Sequence, residues 1–312
     1  MDFCKERVIN MVDIAIIGCG TAGLTAAIYA VRAGRSAVVL EGGVCGGQII
    51  NAQEIANYPG LPGVSGYEFA ESLRRQAVDQ GAAIENRQAT GLRREDDFWT
   101  ITTDGPAVSG RAVIIASGAR YRPLGVAREQ EFIGRGLSYC ATCDGAFFRG
   151  REVAVVGGGN TAVNDALFLS GYCPAVYLIH RSTAFRAEPA LMEALRAKSN
   201  VIFVTDSVVT ALHGGEILET IELKNVHTGE ATRLAIAGLF VAIGQVPATA
   251  PFSPPLALDS YGYIVAGEDG QTGLPGLFAA GDCRAKTVHQ LVTAASDGAV
   301  AALGAVDYLK NL

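Results

Sequence analysis

Histidine and charge are scarce in this sequence, and each scarcity closes off a class of function. The four histidines (His180, His213, His227 and His289) form no H-x-x-x-H pair, and no second C-x-x-C accompanies Cys140 and Cys143. A local zinc site needs such partners, so only a site gathered from distant residues stays open. Charged residues make up 18% of the chain and leave a net charge of −6. That balance argues against nucleic acid or an anionic membrane as the main partner. No apolar run approaches the roughly 20 residues that a spanning helix needs, and no low-complexity tract is present. The opening "MDFCKERVINMVDIAII" is broken by charges, unlike a secretory signal. Met11 is a candidate natural start, which makes residues 1–10 an extension expected to be frayed. Seven cysteines, an odd number in a chain of 312 residues, suit a reducing cytoplasm better than a disulfide-stapled secreted protein.

Apolar residues and glycine are abundant instead. Half the chain is apolar (49%) and 38 residues are glycine, as buried parallel strands joined by tight turns require. The length suits two domains of α/β class. In "VDIAIIGCGTAGLTAAIYAVRAGRSAVVLE" a short apolar strand ends at Gly18. A small-residue helix runs from about Thr21 to Ala33, and a second strand from Ser36 to Leu40. Gly18, Gly20 and Gly23 form a G-x-G-x-x-G turn. The first permits the tight bend, the second lets a pyrophosphate approach the backbone, and the third lets helix and strand pack closely. Glu41 closes the second strand, 18 residues beyond Gly23, near the spacing of an acid that bonds a ribose hydroxyl.

The unit recurs at an offset of 139 residues in "REVAVVGGGNTAVNDALFLSGYCPAVYLIHRS", where Gly157, Gly159 and Ala162 replace Gly18, Gly20 and Gly23. Glu41 maps onto His180, and Arg181 follows. The second copy therefore ends in the basic "HRSTAFRAE". An acid at this place prefers a free ribose 2′-hydroxyl, whereas cations such as Arg181 and Arg186 accommodate a 2′-phosphate. One chain is thus expected to hold two dinucleotides, one of them phosphorylated on its ribose. "RAVIIASGARYRPLG" and "LAIAGLFVAIGQVPATAPF" each end a strand and pass through proline. The simplest arrangement inserts a second unit, residues 121–248, into a first one made of residues 1–120 and 249–312, with the two linkers as a hinge. Between the linkers lies "GLSYCATCDGAFFRG". On its residues alone, Cys140-x-x-Cys143 is half a zinc site, a staple or a redox pair.

The ordered set of fingerprint, "GGQI", "NYPG", "CATCD", "GGGNTA", "HRSTAFRAE", "GLFVAIG" and "GLFAAGD" resembles the low-molecular-weight thioredoxin reductases, essentially end to end. "CATCD" inside the inserted unit separates that family from glutathione-reductase-like enzymes, whose redox cysteines lie in the flavin domain. The resemblance implies two Rossmann-like domains, a homodimer, FAD, NADPH, and thioredoxin as the protein reduced. It places Gly46, Gly47, Gln48, Asn57, Asp282, His289 and Gln290 around the FAD. It places the "GGGNTA" residues Gly157, Gly159, Asn160, Thr161 and Ala162, with His180, Arg181 and Arg186, at the NADPH. Two positions depart from the family pattern. Ser182 stands where a further arginine is usual, and His289 stands where an arginine precedes the glutamine.

With a flavin implied, the dithiol becomes intelligible. A bridge across C-x-x-C closes so short a loop that it stabilises by about 2 kcal/mol at best, a poor staple in a chain this size. A flavin can pass two electrons to a disulfide, which no side chain does alone. By resemblance Cys143 receives the electrons and Cys140 attacks the thioredoxin disulfide. Asp144 is the candidate proton donor and acceptor, with a helix N-cap as its compatible structural role. The family resemblance also implies rotation of the inserted domain between half-reactions. Phe147 and Phe148 read as packing around the dithiol or partner contact. Cys4, Cys19, Cys45, Cys173 and Cys283 are expected to be ordinary thiols, and His289 a satisfied structural histidine. Other readings are a ferredoxin-linked flavin thioredoxin reductase, a ferredoxin–NADP reductase of the same general fold, and a non-catalytic flavin/dithiol redox sensor. The ferredoxin-linked relatives have degraded second fingerprints, and the ferredoxin–NADP reductases lack the "CATC" pair.

Overall fold

The protein is described from a computed structural model, which covers residues 11–312 apart from Gln53 and Pro62. Residues 1–10, and with them the expected extension and Cys4, lie outside the described residues. The chain divides into two compact units. One takes the chain up to Arg120 and again from Val246 to Leu312; the other is Tyr121–Gln245.

The first unit opens with β1 (Val12–Ile17), α1 (Thr21–Arg32) and β2 (Ala37–Glu41). Then come α2 (Gly66–Asp79), β3 (Ala83–Asn86), β4 (Ala89–Arg94), β5 (Trp99–Thr103) and β6 (Val108–Ile115). Strands β3, β2, β1 and β6 pair in that order, all parallel. The residues of β1 and β2 are almost all buried, which explains their unbroken apolar runs: a parallel sheet is covered on both faces. β6 is eight residues long and its far edge is shared. Its N-terminal half takes the antiparallel β4–β5 hairpin. The sequence pattern did not single out that hairpin. Ser65 caps α2 with a reciprocal box, its hydroxyl accepting from the Glu68 N–H while Glu68 accepts from the Ser65 N–H.

The chain leaves through β7 (Ala119–Tyr121) into α3 (Glu129–Phe132), β8 (Leu137–Ser138), α4 (Ala141–Asp144), β9 (Val153–Val156), α5 (Asn160–Ser170) and β10 (Val176–Ile179). It continues through α6 (Pro189–Arg196), β11 (Val201–Val204), β12 (Ser207–His213), β13 (Thr220–Asn225), β14 (Ala231–Ala235) and β15 (Gly238–Val241). β11, β10, β9, β15 and β8 form a parallel sheet in that order, and β12–β14 an antiparallel one. The chain returns through β16 (Gln245–Pro247), which pairs with β7, and closes the first unit with β17 (Leu277–Ala279) and α7 (Leu291–Lys310). β17 takes the C-terminal half of the shared β6 edge, in parallel. Helices α1 and α7 pack on one another through small residues. A Cβ on Gly298 would overlap the Ala22 carbonyl, so only glycine lets the helices approach this closely.

Candidate functional site

The first glycine turn joins β1 to α1. Gly18 has φ +107°, and a Cβ there would overlap the Ala116 carbonyl at the end of β6. A Cβ on Gly23 would overlap the Gly18 carbonyl, so the helix presses directly on the turn. Gly20 is the open position, with nothing nearer its hypothetical Cβ than Gly47 Cα at 3.9 Å. Glu41 is brought to this turn by the parallel register of β1 and β2. Its Oε2 accepts from Cys19 N–H at 2.9 Å and its Oε1 from Gly43 N–H at 2.9 Å. The following loop closes onto the turn: Gly46 N–H donates to the Cys19 carbonyl at 2.7 Å, and Gly46 bridges to Gly20. Gly46 and Gly47 both have positive φ, and Gln48 beyond them is exposed. Here an expectation fails: Cys19 and Cys45 are joined as a disulfide. They are not ordinary thiols, because the ends of two parallel strands bring their loops together.

Asp282 and His289 lie on the segment between β17 and α7, which a buried ion cluster holds. Asp297 accepts from Arg284 at 2.8 and 2.9 Å, from Lys286 Nζ at 2.9 Å and from Gly281 N–H at 3.0 Å. Burial works against ionisation of Asp297, but the bonds from Arg284 and Lys286 outweigh it and hold the group below the usual carboxylate range. No short motif announces this cluster in the sequence. Asp282 Oδ1 is buried, 3.4 Å from Lys286 Nζ, and accepts no hydrogen bond among the described residues. His289 Nε2 is likewise buried without a partner among the described residues, so His289 is not the satisfied structural histidine expected. Burial holds the imidazole below its ordinary pKa, with Asp282 pulling the other way and Lys286 adding to the depression. Asn57 donates to Gln290 Oε1 at 3.2 Å, tying the "NYPG" segment to the start of α7.

The second glycine turn repeats the first between β9 and α5. A Cβ on Gly157 would overlap the Ala242 carbonyl at the end of β15, and Gly159 faces open space. Asn160 and Glu188 bond reciprocally at 2.8 Å, fixing the helix start against the segment that carries the arginines; Thr161 beside it is exposed. His180 lies directly under Gly158, and its ring sits 4.9 Å from that of Phe185. Its pKa is lowered, by burial first and by the charges of Arg181 and Arg186 in addition. Both arginines are exposed, with no ion pair among the described residues. Ser182 Oγ accepts from the Ala184 N–H at 3.1 Å, a local turn bond.

The C-x-x-C pair belongs to the same unit. Cys140 and Cys143 are disulfide-bonded, at the mouth and in the body of the one-turn helix α4. Both are half-buried, and Ala141 between them packs into the core that also holds Ala162 and Val163 of α5. Asp144 makes no side-chain cap bond to the 3-10 turn Gly145–Phe148, so its expected N-cap role is not realised. Its Oδ2 accepts instead from Ser138 Oγ at 2.6 Å, and Ser138 Oγ accepts in turn from Cys140 N–H at 3.0 Å. Burial raises the Asp144 pKa, with the Ser138 bond opposing it. Ser138 is the residue that sequence reasoning missed. Its signal was its place two residues before the first cysteine, at the end of β8. Phe148 packs edge-on against Phe240 at 5.4 Å, whereas Phe147, in the turn that follows α4, is 50% exposed.

With this geometry in view, comparison with known proteins is decisive. Residues 12–299 match the family model described as pyridine nucleotide-disulphide oxidoreductase. A thioredoxin reductase of Treponema pallidum is 42% identical over 301 residues, covering 96% of this chain and 98% of that protein. One from Listeria innocua is 39% identical over 96% of this chain and 94% of its own. The crystal structure of thioredoxin reductase from Streptococcus pyogenes superposes with a TM-score of 0.93 at 38% identity, covering 97% of this chain and all (100%) of that one. The chain belongs to the thioredoxin reductase family.

Family membership implies a flavin and a pyridine nucleotide, and the residues fit both. In the first unit the buried Asp282 Oδ1 and His289 Nε2, neither hydrogen-bonded among the described residues, are an acceptor and a donor or acceptor that a polar ligand can use. Gly20 and Gly47 leave a backbone surface free of side chains beside them. In the second unit, Gly159 is open and the exposed guanidiniums of Arg181 and Arg186 follow the end of β10. Among the described residues no group of three or more metal-ligating side chains is found, and no helix is long and apolar enough to cross a membrane.

Proposed function

We propose that the protein is a thioredoxin-disulfide reductase that carries electrons from NADPH through FAD and Cys140/Cys143 to thioredoxin. The observation that carries the reading is the Cys140–Cys143 bridge, whose Cys140 backbone N–H is linked through the Ser138 hydroxyl to the Asp144 carboxyl, in the unit that also holds an intact second glycine turn. FAD is assigned to the first unit, through Gly18, Gly20, Gly23, Glu41, Gly46, Gly47, Gln48, Asn57, Asp282, His289 and Gln290. NADPH is assigned to the second, through the Gly157–Ala162 turn, His180, Arg181 and Arg186. The choice of NADPH rests on the exposed arginines that follow His180, the counterpart of Glu41, in the second copy. A homodimer and a cytoplasmic location complete the proposal, on family resemblance and on composition.

Bound FAD supplies two-electron chemistry, accepting a hydride from the nicotinamide and delivering two electrons to a disulfide. The chain's own residues do the rest. As the Cys140–Cys143 bond breaks, Cys143 takes the electrons and Cys140 leaves as a thiolate, which takes up one proton. Asp144 is the group we assign to hold that proton: burial raises its pKa toward the neutral form, and Ser138 fixes one of its oxygens. Cys140 then attacks a sulfur of the thioredoxin disulfide to form a mixed disulfide, and Cys143 resolves it by re-forming the Cys140–Cys143 bond. The exposed Phe147 offers an apolar contact for the incoming protein. The crossings at β7 and β16 are where we place the hinge.

Cysteine replacement tests the assignment. Cys140→Ser should lower thioredoxin reduction at least about a thousand-fold, while NADPH still bleaches the flavin. Cys143→Ser should do the same yet trap thioredoxin on Cys140 as a mixed disulfide, visible by mass. Substantial thioredoxin turnover by Cys140→Ser would refute the roles of the two cysteines.

A further inference from the structure

The second disulfide has no part in the electron path just described. Cys19 lies inside the first glycine turn, between Gly18 and Gly20, and is fully buried. Cys45 lies 26 residues on, half-buried, in the loop that follows β2. Gly42, Gly43 and Val44 before it, and Gly47 and Gln48 after it, are exposed. Besides the disulfide, two hydrogen bonds tie this segment to the turn, Gly46 N–H to the Cys19 carbonyl and Cys19 N–H to Glu41, while Glu41 also accepts from Gly43 N–H within the loop itself. The covalent bond thus clasps together the two loops whose glycines face each other at the first dinucleotide position.

We propose that Cys19–Cys45 is a thiol–disulfide exchange site that controls how tightly the first unit holds its dinucleotide. The inference rests on the assignment of FAD to that unit. The reductant is a dithiol, the class of product that the proposed reaction makes. One of its thiolates attacks Sγ of Cys45, the less buried of the two cysteines, forming a mixed disulfide and expelling Cys19 as a thiolate that takes up a proton. The second thiol of the reductant then attacks its own partner sulfur and releases Cys45. The dithiol is oxidised to a disulfide, and two electrons and two protons reside on Cys19 and Cys45. The loop from Gly42 to Gln48 then has no covalent tie to the turn, and that constraint on the turn is lost. Accumulated dithiol product loosens the cofactor, and an oxidised pool restores the clasp.

The test uses flavin-loaded protein carrying Cys140→Ser and Cys143→Ser, which leaves Cys19–Cys45 as the disulfide under study. FAD release is followed by the rise of flavin fluorescence, with and without dithiothreitol, and alkylation with peptide mass mapping reports the state of Cys19 and Cys45. Release should be at least about ten-fold faster once both are alkylatable. Adding Cys45→Ser should give the fast rate under both conditions, and reoxidation of the unsubstituted pair should restore the slow one. Release that does not change when the pair is reduced would overturn the proposal while leaving the function intact. So would finding both cysteines alkylatable in the air-oxidised protein. Protein that binds no FAD at all would overturn both.

Discussion

At the first glycine turn a Cβ on Gly18 would overlap the Ala116 carbonyl; at the second, a Cβ on Gly157 would overlap the Ala242 carbonyl. Each turn is pinned from the same direction by the end of a neighbouring parallel strand, and each leaves its middle glycine free to face a ligand. The backbone problem is solved twice in the same way. What differs is the edge. In the first copy Glu41 is drawn into the turn, bonding Cys19 and Gly43 N–H groups. In the second, His180 is tucked under Gly158 and leaves Arg181 and Arg186 exposed. A common scaffold thus sets where a pyrophosphate can lie, and a few side chains at the end of the second strand set which ribose follows.

The largest effect should come from breaking the scaffold in one copy at a time. Gly20→Val would put a branched side chain on the surface that the first dinucleotide must approach. That variant should purify colourless or lose FAD readily, with turnover down at least about a hundred-fold. Gly159→Val should leave the flavin colour intact and raise the KM for NADPH instead. Absorbance of the purified proteins separates the two, and a fully flavinated Gly20→Val would show that FAD lies elsewhere.

A smaller change sharpens the edge. Ser182 is occupied in a local turn bond with Ala184 N–H and is neutral. Replacing it by arginine adds a third cation beside Arg181 and Arg186. A hydrogen bond to a charged group contributes about 1.5–3 kcal/mol, less where solvent screens it. Ser182→Arg should therefore widen the NADPH-over-NADH ratio in kcat/KM by about ten-fold, mostly through KM and more at low salt. The unmodified enzyme should still prefer NADPH, and an equal or better kcat/KM with NADH would contradict the edge argument.

The smallest effect concerns the two helices. At the offset that relates the copies, the buried Ala26 of α1 corresponds to Asp165 of α5, whose carboxyl burial pushes up to about 7. A carboxyl with a raised folded-state pKa contributes no penalty below its unfolded value near 4, an increasing one up to about 7, and the full one above. Asp165→Ala should thus leave Tm little changed near pH 4 and raise it by roughly a few degrees at pH 8. A Tm difference that does not grow with pH would show that Asp165 is not ionising at a cost.

The repeat of glycine turns was legible because each glycine answers a local steric demand, and the parallel sheets because their strands are buried on both faces. The fold class follows from those two signals, and the family from the motifs set among them. The rest depended on contacts that no local pattern encodes. Cys19 and Cys45 meet because Ile17 pairs with Leu40 and the following residues arrive side by side, a consequence of register. The Arg284–Asp297–Lys286 cluster spans the turn before α7 and the helix itself, so its members carry no spacing signature. Asp144 was readable as a candidate acid from its place after Cys143. Its actual partner, Ser138, belongs to a strand of two residues that only tertiary pairing with β15 defines.

Anaerobic stopped-flow reduction of the yellow protein by NADPH, followed by rapid alkylation and peptide mapping, tests the electron path most directly. NADPH should bleach the flavin, NADH should do so less effectively, and reduced ferredoxin should not. Cys140 and Cys143 should become alkylatable with the bleaching, and subsequent addition of oxidised thioredoxin should return them to the disulfide as thioredoxin gains two thiols. Flavin reduction that leaves Cys140 and Cys143 oxidised, or reduction by ferredoxin and by neither nucleotide, would contradict the account.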